Sequence, residues 1–456
     1  MTQVAPNPVN TEAYFQTLEA DFKTPNNHNQ GMLKKVATAS FLGNFIEWFD
    51  YAAYSYFATA IAMTFFPTED RTIALLQTFG IFALSFILRP LGAIFWGNLG
   101  DRIGRKATLS LSIVMMTGAS FLIGLLPSYA AIGALAPICL LLLRMIQGFS
   151  ASGEYAGAAV FLGEYAPPRR RGFLCSLIPA STALGLLAGS AFASIMSVLL
   201  THDQVVAWGW RIPFLLALPF GAIIFYIRAR LEDSPVYQEM SEAVEGKHMP
   251  ATKSPIKLLL TTYRKQTLIS FGAAVLNAVG FYIVLTYLPT YLTDTVHMDA
   301  TAASTVTTIS LIVYVALVFG MGKLSDRYGR KKMLLIACIS FIALTIPGFM
   351  LIGTGNVFLV LAMQIALSAA LAANDGSLAS YLNETFPTEV RFSGFAFSFN
   401  MANAIFGGTA PFIATWLIYT TDSALAPAIY MALVATIALV ALKLSAENST
   451  KNLTSI

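Results

Sequence analysis

One ten-residue pattern is written twice in this chain. Gly97-Asn98-Leu99-Gly100-Asp101-Arg102-Ile103-Gly104-Arg105-Lys106 returns as Gly322-Lys323-Leu324-Ser325-Asp326-Arg327-Tyr328-Gly329-Arg330-Lys331, 225 residues later, and each copy lies between long apolar runs. A second echo, at an offset of 220, pairs Glu164, Pro167 and Arg171 with Glu384, Pro387 and Arg391. Two membrane-embedded halves related by a parallel repeat form the pattern of carriers whose site lies between the halves. Composition agrees, with 56% hydrophobic and 11% charged residues among 456, against roughly 25% charged in a soluble domain. The expected fold class is an all-α membrane protein of twelve transmembrane helices in two six-helix, pseudo-symmetric halves.

A helix needs about 20 apolar residues to cross a bilayer. Hydropathy breaks place twelve such helices at about 36–64, 73–98, 107–126, 131–164, 172–198, 211–231, 266–293, 301–322, 333–353, 357–384, 392–419 and 425–444. The domain layout that follows is a tail (1–35), a first bundle (36–231), a linker (232–264), a second bundle (265–444) and a short tail (445–456). The linker, with Pro235, Pro250 and Pro255, is too polar and broken to span. Placing both termini in the cytoplasm puts 24 of the 28 lysines and arginines on that side, as the positive-inside rule requires. The polar opening of about 31 residues has no apolar segment resembling a cleaved signal, so the first span is expected to direct insertion into a cell inner membrane.

The repeated pattern has a physical purpose. Its glycines permit a tight turn and close helix approach. Its aspartate can accept hydrogen bonds from a neighbouring helix N-terminus and meet that helix's dipole. Its arginines can bridge to carboxylates at nearby helix ends. The expected latch is Gly97, Asp101, Arg102, Gly104, Arg105 and Glu164, mirrored by Gly322, Asp326, Arg327, Gly329, Arg330 and Glu384. The plainer alternative, that the basic residues only satisfy the positive-inside rule, leaves the repeated aspartate and glycines unexplained.

On these residues the full chain resembles the major facilitator superfamily, whose pattern between the second and third helices is this one. A second pattern of that family, on the fourth helix, stands here as Arg144-Met145-Ile146-Gln147-Gly148. Gly43-Asn44-Phe45-Ile46-Glu47-Trp48-Phe49-Asp50-Tyr51, Arg89-Pro90-Leu91-Gly92, Gly153-Glu154-Tyr155 and Leu231-Glu232-Asp233-Ser234-Pro235 look like its metabolite:proton symporter branch. That branch includes carriers of citrate, 2-oxoglutarate, shikimate, dicarboxylates, and proline with betaine. The resemblance implies proton-coupled uptake by alternating access.

Ionisable groups inside a span are costly and default to functional candidates. On the first helix Asn44, Glu47, Asp50, Tyr51 and Tyr54 fall within one stripe about 120° wide. That stripe must face a cavity or a partner helix. Arg89 and Arg144 read as the only buried cations, able to pair with Glu47, Asp50 or Glu154. The histidines fall in tail or loops, so a carboxylate is expected to carry the proton: Glu47 or Asp50 first, then Glu154, with Asp375 in the second half. A permanent salt-bridge network is the structural alternative for each. Arg144, with Gln147 beside it, is the expected anchor for an anionic solute. Arg89, eight residues before the repeated pattern, suits a gate or packing role as well as it suits ligand contact. Tyr155, Asn277, Tyr282, Asn374, Asn400 and Asn403 are further candidate cavity residues.

Other classes fit poorly. There is no Gly-x-x-x-x-Gly-Lys-Ser/Thr loop for a nucleotide-driven pump, and spans without histidine leave no base or metal cluster for an enzyme. Cys139, Cys175 and Cys338 read as small core residues. No cofactor, metal or nucleic acid is expected; the partners are a small solute, protons and the bilayer, with the monomer as functional unit. The expectation is a proton-coupled transporter of a small polar organic solute, with a carboxylate leading. The alternative is an exporter of a small anionic antibiotic or phosphonate, although the Gly-Pro-rich fifth-helix pattern of drug antiporters is missing around Pro179, Gly185 and Gly189. Osmoprotectant uptake ranks lower, because the osmosensing carriers of the branch end in a long coiled coil.

Overall fold

The computed structural model describes residues 27–66, 71–246, 254–449 and 453; most of the expected N-terminal tail and part of the linker lie outside the described residues. The described residues form twelve long helical segments. These are α1 (Asn27–Tyr56, continuing as Ala58–Phe65), α2 (Arg71–Ile87, continuing as Arg89–Ile103), α3 (Arg105–Leu125), α4 (Leu135–Tyr165), α5 (Pro168–Leu199), α6 (Gly209–Ala229), α7 (Arg264–Asp294), α8 (Ala300–Tyr328), α9 (Arg330–Ile352), α10 (Val357–Asn383), α11 (Thr388–Thr421) and α12 (Ala426–Lys443). The last ten are long and apolar enough to cross a membrane. Large apolar side chains such as Phe358, Phe412 and Val198 stay exposed on their outer surface, where lipid is the natural solvent.

The repeated pattern is less of a loop than its composition suggests. α2 runs to Ile103 and α3 starts at Arg105, so Asp101 and Arg102 are helical and the turn is Gly104 alone, at φ 100°. Gly329, at φ 101°, makes the same reversal between α8 and α9. Only glycine enters that region without a steric penalty.

α1 packs on α5, α4 and α6, and α3 on α4 and α6; in the second half α10 packs on α8 and α9, and α7 on α12 and α11. The halves meet along α2 with α11, α5 with α8, and α4 with α10 and α11. Two of the helices lining this seam widen into π-helical turns, Tyr282–Tyr287 in α7 and Asn403–Gly407 in α11. The linker forms two short helices, Pro235–Gly246 and Pro255–Thr261. With an even number of crossings, both described chain ends lie on one face, the terminal face, which also carries both copies of the repeated pattern.

At that face the helices touch backbone to backbone. A Cβ added at Gly97 would lie 2.6 Å from the Ser393 Cα on α11. Gly97→Leu is therefore expected to part the halves here. Spin labels at Lys106 and Lys332 should report a longer distance population in the variant, and an unchanged distribution would remove the close approach as a cause of closure.

Candidate functional site

The seam encloses a small chamber about halfway along the helices, with about 20 Å³ of space open to a water-sized sphere. That is room for one water. The first half supplies Glu47, Trp48, Arg89 and Tyr155 to its lining; the second supplies Asn277, Phe281, Asp375, Phe399, Asn400 and Asn403. The Arg89 guanidinium is 3.7 Å from Glu47 Oε1 and lies over the rings of Phe86 (4.4 Å) and Tyr51 (5.3 Å). The other Glu47 oxygen has no hydrogen-bond partner among the described residues. Asp375 accepts from the Asn277 amide at 2.7 Å and pairs with the Tyr314 hydroxyl at 2.5 Å. Among the described residues it has no salt-bridge partner.

Aromatic rings from both halves close the chamber. Tyr155 stacks on Phe399 at 4.4 Å, and Trp48 meets Phe281 edge-on at 5.2 Å. Asn400 donates across the seam to the Ser152 carbonyl (2.8 Å), and Asn403 to its own helix at Phe399 (3.0 Å). Tyr282, against Phe86, and Asn374 keep buried polar atoms with no partner among the described residues.

Other candidate residues stand outside the lining. Arg144 donates to Asp50 at 3.0 Å and to Gln147 at 2.6 Å, and its guanidinium lies 3.6 Å from the centre of the Tyr54 ring. Gln147 in turn donates to Asp50 (3.1 Å) and Ser120 (2.6 Å), and the Tyr54 hydroxyl donates to the Thr78 carbonyl. The expected solute anchor is thus engaged within the first bundle, while Arg89, read as gate or ligand contact alike, lines the chamber. Helix length explains the placement: α2 continues 14 residues past Arg89 to Ile103, roughly 21 Å of rise. Asn44 ties α1 to α5 through the Ile178 carbonyl, Ser181 and Thr182.

Glu154 is held by a cation that the sequence pattern did not single out. Arg228, 2% exposed, donates to both Glu154 oxygens and to the Leu109 carbonyl, and Ser112 adds a 3.1 Å bond. The expectation of only two buried cations is corrected here. Arg228 sits in the last turn of α6, where the lysine and arginine count groups it with the basic flank of the linker.

At the terminal face the latch residues come together across the seam. Arg105 donates from Nε and Nη2 to the two Glu164 oxygens, both at 3.1 Å, and Arg391 of the second half adds 2.8 Å to the same carboxylate. Asp101 accepts from the N–H groups of Phe392 (3.1 Å) and Ser393 (2.8 Å) at the start of α11. In the mirror arrangement Glu384 takes Arg171 (2.8 Å) and Arg330 (3.3 Å), and Asp326 accepts from Gly172 (2.8 Å) and Phe173 (2.9 Å) on α5. The structure does not bring Arg102 and Arg327 into these bridges; both are exposed on the surface.

Linker and tail add contacts to the two copies. Ser234 donates to Glu164, Asp233 accepts from the Arg105 N–H (3.1 Å), and Tyr237 donates to the Arg102 carbonyl (2.8 Å). Burial pushes the Asp233 carboxyl above its ordinary range, although the N–H of Ser234 and the Arg105 guanidinium pull the other way. On the second copy Glu447 takes the place of Asp233, accepting from the Lys331 N–H at 2.9 Å.

Comparison with known proteins follows this geometry. Residues 35–249 match the profile of the "Sugar (and other) transporter" family, and residues 270–455 that of the Major Facilitator Superfamily. The glycine betaine/proline/ectoine/pipecolic acid transporter OusA of Dickeya dadantii is 36% identical over 422 residues, covering 90% of this chain and 83% of that one. The chain belongs to the major facilitator superfamily. A proline/betaine transporter of Salmonella typhimurium is also 36% identical, over 423 residues with the same coverage. Among solved structures the proton:xylose symporter XylE superposes with a TM-score of 0.76 at 18% identity, covering 93% of this chain and 98% of that one; it supports the twelve-helix fold. This carrier is a secondary transporter of small solutes and not an enzyme, and it resides as a multi-pass protein in a bacterial inner membrane.

Proposed function

We propose that this carrier takes up a small solute bearing both a carboxylate and a cationic nitrogen, together with a proton, and that its terminal face is cytoplasmic. One observation carries the reading. Arg89 from the first half and Asp375 from the second line the same closed chamber, among four aromatic rings. The guanidinium suits the carboxylate. Asp375 and the ring faces suit the cationic pole. A plain anion would satisfy Arg89 and leave the Asp375 carboxylate in the same lining without a countercharge. The carboxylate expected from the sequence pattern is one pole of such a solute, and the cationic pole is the addition. Glycine betaine, proline, ectoine and pipecolic acid, for which the relative OusA is named, all carry both poles.

Coupling follows from the Glu47–Arg89 pair. A proton on Glu47 releases Arg89, which then takes the solute carboxylate, so each ligand favours the other. With Glu47 neutral, Arg89 and Asp375 balance one another, and a dipolar solute adds no net charge to the closed chamber. An exporter of anionic toxicants gains no support from this lining.

The test is uptake of labelled proline into proteoliposomes under an inward proton gradient, with betaine, ectoine, succinate and shikimate as competitors. Betaine or ectoine should compete, and succinate and shikimate should not. Asp375→Asn should raise the KM for proline by about 10- to 100-fold, from the loss of one desolvated charge contact. Competition by the plain acids without the dipolar solutes would overturn the reading.

A further inference from the structure

The pseudo-symmetry of the terminal face is broken in one respect that transport does not explain. A groove of about 1340 Å³ opens where α5, α8 and α9 end, beside Leu33 of α1. Six cations line it: Arg169, Arg170, Lys323, Arg327, Lys331 and Lys332. Its two acids are already engaged. Asp326 holds Arg330 (2.9 Å) and the first turn of α5, and Glu447 holds the N–H groups of Lys331 and Ser449. Among the described residues none of the six cations makes a salt bridge. The floor is apolar, and Phe173 and Leu324 leave it 40% and 38% exposed.

The equivalent place on the other copy is different in charge and in cover. At the repeat offsets, Lys323, Arg327, Lys331 and Lys332 correspond to Asn98, Arg102, Lys106 and Ala107, and Arg169 and Arg170 to Glu389 and Val390. Two cations and one acid stand where the groove has six cations. The linker also covers that side, with Tyr237 against Arg105 and Tyr263 bonded to Glu389 (2.9 Å). Keeping positive charge on one face needs no such concentration in a single amphipathic recess.

We infer that this groove seats an anionic phospholipid, its phosphodiester headgroup among the six cations and its acyl chains along Phe173, Leu174, Leu324 and Leu335. The chemistry is that of basic pockets at helix ends that hold anionic headgroups. The lipid sits against the turn of α5 that Asp326 caps, so it ties the latch of the second copy to the bilayer.

Native mass spectrometry of the full chain, released from nanodiscs of phosphatidylglycerol and phosphatidylcholine, tests the assignment. Wild type should retain one phosphatidylglycerol after delipidation. Arg170→Gln/Lys323→Gln/Lys332→Gln should bind it roughly a hundredfold more weakly. A matched triple on the same face, Lys106→Gln/Arg230→Gln/Lys257→Gln, should retain it. Thermal melting and gel filtration of both triples establish that they are folded. Equal retention by the two triples would overturn the proposal. So would displacement of the lipid by soluble glycerophosphoglycerol or inorganic phosphate, because the acyl chains would then contribute nothing.

Discussion

Glu47→Gln is expected to abolish uphill accumulation while leaving exchange intact. For one proton per solute, a gradient of one pH unit sustains about tenfold accumulation, since 1.4 kcal/mol is a factor of ten. The amide is neutral at every working pH, so it mimics the protonated acid and leaves Arg89 free for the solute in both directions. Proteoliposomes loaded with proline should then equilibrate to an inside-to-outside ratio near one, and counterflow of labelled proline should persist. Glu47→Asp should recover part of the accumulation. A glutamine variant that still concentrates solute tenfold would move the proton elsewhere, with Asp375 next to be tested.

The second large effect belongs to Arg228, which is not among the residues that line the chamber. Arg228→Ala leaves Glu154 buried, with Ser112 as its remaining side-chain partner among the described residues. Stranding one member of a buried ion pair costs about 3–5 kcal/mol, enough to empty the folded population of a marginal protein. The variant should be lost from the membrane fraction or melt far below wild type. Glu154→Gln/Arg228→Met, which removes both charges, should recover folding and proton-driven uptake together. A double variant that folds but does not couple would give Glu154 the proton-carrying role that its place in a span first suggested.

The particular residues show what was legible. The two copies of the glycine-aspartate-arginine pattern fixed the symmetry, and their partners Glu164 and Glu384 could be named because they too recur at one offset. Twelve spans followed from apolar length. Azimuth did not. Arg89 and Arg144 are both buried arginines on long helices, and nothing in their neighbours tells which points to the seam and which into its own bundle. Arg228 was hidden by its place one turn from a basic linker. Asp375 could be named as a buried acid, whereas Tyr314, which meets it from α8, carried no signal because a tyrosine in a span is most often packing. Glu447 and Asp233 play matching roles without matching sequences, so only three-dimensional superposition relates them.

The turns at Gly104 and Gly329 have a mechanical corollary. Each joins two long helices through a single residue, so neither turn supplies a slack segment able to fold over the chamber as a lid. In the proposed cycle each of these two helical hairpins therefore swings as one body, against the drag of the surrounding lipid.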